Sequence, residues 1–199
     1  MSLHGILNGT MGIMIVIMLT NLLLLPQDRH MRPQDAPVLM EEQTIPQRPL
    51  RLRIPAHGID APVEPVGLTE RGNMDIPQSA FSVGWYEHGF VPGDTGNAVL
   101  AGHRDTALGT PGIFWALSGM QPGEIIVVET ENGPLKFRVT RTEAFPYDRA
   151  PMQEIFGAAS GRYLNLITCI GQWNRQTYDR RLVIFAELMQ PEKKTLPIL

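Results

Sequence analysis

The chain has very little cysteine: Cys169 is the only thiol in 199 residues. One thiol cannot form a disulfide within the chain, so the fold depends on its core. At 43% hydrophobic the composition suffices for one substantial core, which predicts one folded unit with appendages. The sequence also lacks basic clusters and runs of like charge, and its net charge is only −3. Nucleic acid is therefore not an expected partner. The five histidines include no His-x-x-x-His pair, and no metal or cofactor site is expected. No internal repeat is present.

Charge is missing from one long stretch as well, the twenty residues from Ile6 to Leu25. At 1.5 Å per residue a helix of that length crosses a hydrocarbon layer of about 30 Å. A cleaved signal peptide is the rival reading, but Pro26-Gln27-Asp28-Arg29-His30 offers no small-x-small cleavage site, so residues 1–25 are read as a retained anchor. Residues 26–49 follow with Pro26, Pro33, Pro37, Pro46 and Pro49 among polar residues. Proline removes backbone donors and favours extended geometry, so this segment reads as a stalk. Residues 191–199 read as a tail.

Between lies a domain, residues 50–190, in which short apolar runs alternate with turn residues, the pattern of an all-β barrel or sandwich. Strands are expected at 51–54, 61–66, 97–102, 124–130, 135–143, 162–168 and 181–187. Glu131-Asn132-Gly133-Pro134 is expected to form a tight hairpin, its Asn-Gly pair supplying positive φ. Phe114-Trp115-Ala116-Leu117 reads as a helical turn. The long connection 144–161 is expected to carry a helix over 152–159, and such connections are often functional.

Cys169 closes one of these apolar runs and Arg181, twelve residues on, opens the next. Antiparallel pairing of the two strands places thiol and guanidinium at one end of the sheet. Each residue also has an inert reading, Cys169 as a small buried hydrophobe and Arg181 as a solvated strand-end charge. A third group follows the apolar run 97–102: His103, an imidazole at a strand mouth, suited to general acid and base chemistry near neutral pH. His4 and His30 flank the uncharged stretch, while His57 and His88 stand in turn-like segments where structural roles are the default. Arg180 and Arg175 compete with Arg181. Neighbours on a strand face opposite sides, and counting back from Val183-Ile184-Phe185-Ala186 favours Arg181 over Arg180, with Arg175 third.

These motifs resemble those of the sortases, cysteine transpeptidases of the bacterial cell surface. Asn165-Leu166-Ile167-Thr168-Cys169 is similar to the family signature Thr-Leu-x-Thr-Cys, and Ala101-Gly102-His103 to the family's Ala-Gly-His segment. Arg181 corresponds to the family arginine at the head of the last strand. The resemblance runs from about residue 50 to 188 and departs at Asn165, a change expected to matter little. It implies a closed β-barrel with short helices in the connections, and a catalytic set of Cys169, His103 and Arg181. It further implies cleavage of a Leu-Pro-x-Thr-Gly-like sorting signal on surface proteins and transfer to an amine of a cell-wall precursor or pilin. Location follows: a single-pass membrane protein with its domain outside. Arg29 and Arg32 pull against that orientation, because counting positive charge alone favours a cytoplasmic C-terminus.

Other readings remain at this point. An L,D-transpeptidase would carry Ser-x-Gly-Cys, which is missing, and papain-like wall hydrolases place cysteine before histidine, the reverse of the order here. A different class of reading is a noncatalytic anchored β-domain that presents a binding surface, with Cys169 inert.

Overall fold

The computed structural model describes residues 48–190. The expected anchor, nearly all of the stalk and the tail lie outside the described residues. Among those that are described, no helix is long and apolar enough to cross a membrane.

Eight strands form the domain: β1 (Pro49–Ile54), β2 (Ile59–Val66), β3 (Val83–Tyr86), β4 (Gly96–Gly102), β5 (Ile125–Thr130), β6 (Gly133–Pro146), β7 (Arg162–Trp173) and β8 (Tyr178–Leu188). They close into a barrel in the order β1-β2-β3-β4-β7-β8-β6-β5, which leaves no free sheet edge. The expected all-β barrel with short helices in its connections is what forms. Its helical pieces are 3₁₀ turns at Pro55–His57 and Trp115–Gly119 and a single short α-helix, α1 (Met152–Phe156). Seven strands fall where the alternation placed them. The eighth, β3, was not foreseen: Val83-Gly84-Trp85-Tyr86 is too short to show a period, and it is held by parallel pairing to β2 and antiparallel pairing to β4.

Two expectations need correcting. The hairpin at 131–134 is tight, with Thr130 paired to Gly133. Gly133 alone supplies positive φ, however, at 110°, and Asn132 does not share it. Cys169 and Arg181 also do not end their strands. β7 and β8 run past them to a Trp173–Tyr178 pair, with a register shift between Ile170 and Trp173. Gly171 makes that irregularity possible: its φ is +89° and a Cβ there would stand 2.0 Å from Asp179 Oδ1. Asp179 Oδ1 instead accepts the Gln172 backbone N–H at 2.7 Å.

The two-residue period of a strand divides the barrel wall into two faces. Leu100, Leu164, Leu166, Leu182 and Ile184 join the main core. Val99, Val183 and Phe185 turn the other way and form a second cluster with Ile155 of α1, against which Ile167 packs. The candidate site stands on that second, outward face.

Candidate active site

Cys169 and Arg181 are register partners across the antiparallel β7–β8 ladder. Directly opposed residues share a face, and the odd-numbered positions of both strands are those that reach the second cluster. On the other side of β7, the parallel β4 pairs Ala101 with Ile167. His103 lies two residues past Ala101, as Cys169 lies two past Ile167, so the period carries His103 towards the same face. Buried Thr168 secures this junction, its Oγ1 donating to Gly102 O at 2.9 Å. Gly102 must be glycine, since a Cβ would stand 2.7 Å from the Phe114 ring. The barrel thus sets the three residues singled out in the sequence in one row, Cys169 and Arg181 paired on β7 and β8 and His103 immediately past the end of the adjacent β4.

Each is held in a specific way. His103 Nε2 is 2.8 Å from Pro77 O. A carbonyl only accepts, so Nε2 carries a proton and, in the neutral ring, Nδ1 is the basic atom. Arg181 donates from Nη1 to Tyr178 O at 3.0 Å and Arg180 O at 3.2 Å, and from Nη2 to Thr177 Oγ1 at 3.1 Å. Those three bonds use three of the five guanidinium N–H groups, leaving two for a substrate. Arg180, exposed, faces away and donates to Ala144 O on β6 at 2.9 Å. Arg175 sits in the hairpin loop with a φ of 77°. The half-buried Cys169 thiol is pushed above its ordinary pKa by burial; Arg181 opposes that shift, Asp105 adds to it and Arg104 opposes it.

The competing histidines have partners elsewhere. His57 Nε2 is 2.7 Å from Glu124 Oε2, and His88 packs edge-on to Tyr86 at 5.9 Å. His4 and His30 lie outside the described residues. A cavity of about 670 Å³ opens further along the same outward face, between α1 and residues such as Asn97, Thr140 and Tyr163. None of the three row residues lines it.

Sequence reading missed the groups that surround the row. Tyr178 donates its hydroxyl to Asp105 Oδ2, and the Arg104 guanidinium lies 4.8 Å from the Trp115 ring centre and 4.9 Å from that of Tyr178. Arg104 and Asp105 follow His103 directly, so adjacency was an available signal for them. Pro77 and Tyr178 gave none.

The Sortase domain family model matches residues 52–189. The chain belongs to the sortase family. This makes it a sortase-type cysteine transpeptidase and sets aside the L,D-transpeptidase and papain-like readings. Among solved structures, sortase C1 of Streptococcus agalactiae in complex with MTSET is similar at 20% identity, with 73% of this chain and 69% of that one covered and a TM-score of 0.57. The Group B Streptococcus Pilus Island 1 sortase C2 is similar at 22% identity, covering 70% of this chain and 73% of that one, TM-score 0.56. Sortase A from Corynebacterium diphtheriae gives 17% identity over 76% and 65%, TM-score 0.58. At these identities the likeness is one of fold. No curated protein matches the chain.

Proposed function

We propose that this sortase cleaves a Leu-Pro-x-Thr-Gly-like sorting signal on surface proteins and passes the acyl group to an amine of a cell-wall precursor or a pilin. Cys169 is the nucleophile, His103 the acid and base, and Arg181 the oxyanion and substrate donor. The observation that supports the reading is the row itself: Cys169 and Arg181 opposed on β7 and β8, with His103 and Cys169 each two residues past the Ala101–Ile167 pair of the β4–β7 register. Burial keeps the resting thiol protonated, so His103 Nδ1 takes that proton as sulfur attacks the threonine carbonyl. The C–N bond then breaks, a thioester remains, and His103 returns the proton to the departing amine. In the second half the acceptor nitrogen attacks the thioester, its proton passes to His103, and the thiol leaves. The free N–H groups of Arg181 stabilise the oxyanion in both halves, where loss of a donor costs about 3 kcal/mol.

The uncharged stretch 6–25 anchors the protein in the cell membrane, the stalk carries the domain away from it, and the domain faces outside, where wall-linked acceptors are found. The deciding experiment is cleavage of a peptide library by the full chain in detergent, with and without an added amine. Signal-dependent cleavage with amine-dependent product is expected. No cleavage of any peptide, together with a thiol that resists alkylation, would overturn the reading in favour of a noncatalytic domain. A reporter fused after Leu199 that works only in the cytoplasm would overturn the location.

A further inference from the structure

The backbone just beyond His103 is tightly fixed. Gly112 N–H donates to Arg104 O at 2.8 Å, and Phe114 N–H donates to His103 O at 2.9 Å. Asp105 and Pro111 form an isolated β-bridge. A Cβ on Gly112 would stand 2.7 Å from His103 O, so this loop and the imidazole's own backbone are packed as one unit. The loop holds out a single carboxylate. Asp105 Oδ2 accepts the Tyr178 hydroxyl and lies 3.9 Å from Arg104 Nη1. No described residue donates to Oδ1, and the side chain is 21% exposed, so the carboxylate keeps acceptor capacity for a donor from solution. Tyr178 also gives its backbone carbonyl to Arg181. One residue therefore ties Asp105 to the arginine that faces Cys169.

The charges felt at Cys169 are those of Arg181, Arg104 and Asp105, two positive and one negative. An alkyl amine reaches the site at neutral pH mainly as an ammonium ion, because its pKa is about 8 for an α-amine and about 10.4 for lysine. Two guanidiniums repel such a cation, and only a carboxylate among them reverses that. Arg104 is already committed to the Trp115 and Tyr178 rings, with its Nη1 3.9 Å from Asp105 Oδ2. We propose that Asp105 is the docking carboxylate for the acyl acceptor, holding the ammonium of the incoming amine beside the Cys169 thioester. While held, the ammonium gives one proton to water. The freed amine forms the new C–N bond, His103 takes the second proton, the C–S bond breaks, and that proton returns to sulfur.

This inference rests on the transfer chemistry proposed above, and its test separates the two. The full chain is given a quenched Leu-Pro-Ala-Thr-Gly peptide and one of two acceptors at pH 7: glycinamide, which is mostly protonated, or hydroxylamine, which is uncharged. The ratio of transfer to hydrolysis is read by mass, so it reports only what happens after acylation. Asp105→Asn is expected to lower the ratio about tenfold for glycinamide and to leave it unchanged for hydroxylamine. In the unaltered protein, added salt should weaken the preference for glycinamide relative to hydroxylamine, a measurement that needs no variant to fold. Tyr178→Phe should give a smaller loss with the same selectivity. Equal losses with both acceptors would overturn the proposal, because Asp105 would then merely brace the loop. A salt-insensitive preference, or no change in Asp105→Asn, would overturn it too. If the unaltered protein forms no cleavage product at all, the transfer chemistry itself fails and this inference falls with it.

Discussion

The outward face of β4, β7 and β8 has polar residues at both ends, and the two ends use them differently. Under α1, Asn97 and Asn165 are 7% and 0% exposed. Asn97 Nδ2 donates to Gly157 O at 2.8 Å, and Asn165 Nδ2 donates to Ile155 O at 2.7 Å and Asn97 Oδ1 at 3.3 Å. These side chains grip carbonyls of the β6–β7 connection and pin it to the sheet. At the other end His103, Cys169 and Arg181 are half-buried, and their bonds to neighbours leave the sulfur, Nδ1 and two N–H groups uncommitted. A buried amide bonded to main-chain carbonyls of a neighbouring segment holds structure. A group that is fixed in place, half-exposed and with atoms to spare can act on a substrate.

The sharpest form of that contrast is loss of function without loss of fold. Cys169→Ala is expected to abolish thioester formation, and His103→Ala to lower kcat/KM by roughly 10³-fold, with the urea midpoint of each variant close to that of the unaltered protein. Trapping of the acyl-enzyme by mass and equilibrium unfolding check the two halves. A His103→Ala variant that still turns over at a comparable rate would remove His103 from the chemistry.

Next in size is the asymmetry of two adjacent arginines. Arg181→Ala should lower kcat/KM by roughly 10²-fold or more, and Arg180→Ala by only a few-fold. Arg181 opposes the thiol, whereas Arg180 spends its guanidinium on Ala144 O. Lysine at 181 keeps the charge but loses the planar fork and should recover part of the activity. Equal losses at both positions would place both side chains at the site and break the alternation.

The opposite facing of the two arginines was legible in the sequence, because it needs only the two-residue period and an antiparallel neighbour. So were seven strands and the marks of the row, because His103 and Cys169 each close an apolar run and Arg181 opens one. What could not be read lies where the backbone carries the structure without help from apolar side chains. The extension of β7 and β8 beyond Cys169 runs through Gly171 and Gln172 on one strand and Tyr178 and Asp179 on the other, which look like loop, yet a ladder and Asp179 hold it. Contacts such as His103 with Pro77 or Tyr178 with Asp105 join residues 26 and 73 positions apart, and no local pattern announces them. Asn165 shows a different failure. As a departure from the family signature it was expected to matter little, yet its amide is the link that holds Ile155 O.

Asn165→Ala therefore tests the structural end of the face. Removing the amide leaves Ile155 O buried without its donor, a penalty of about 1–3 kcal/mol, only part of which is offset because Asn165 Oδ1 itself accepts no bond among the described residues. The urea midpoint should fall, while kcat/KM of the folded fraction changes far less than in Arg181→Ala. A loss of activity as large as that of Arg181→Ala, with the midpoint unmoved, would erase the distinction between the two ends.

The smallest expected effect is electrostatic and probes the thiol directly. Burial disfavours the thiolate and raises the Cys169 pKa, with Arg181 opposing and Asp105 reinforcing the shift. The rate of alkylation by iodoacetamide follows the thiolate fraction, so its rise with pH should be centred above the range of an ordinary thiol. The signs for the variants follow from charge alone. Arg181→Ala removes a cation that favours the thiolate and should move the curve to still higher pH. Asp105→Asn removes an anion that disfavours it and should move the curve down. Asn165→Ala, uncharged and at the far end of the face, should not move it. A curve that stays in place when Asp105 loses its charge would mean that the carboxylate is screened from the sulfur, and the two ends of the face would then differ in hydrogen bonding alone.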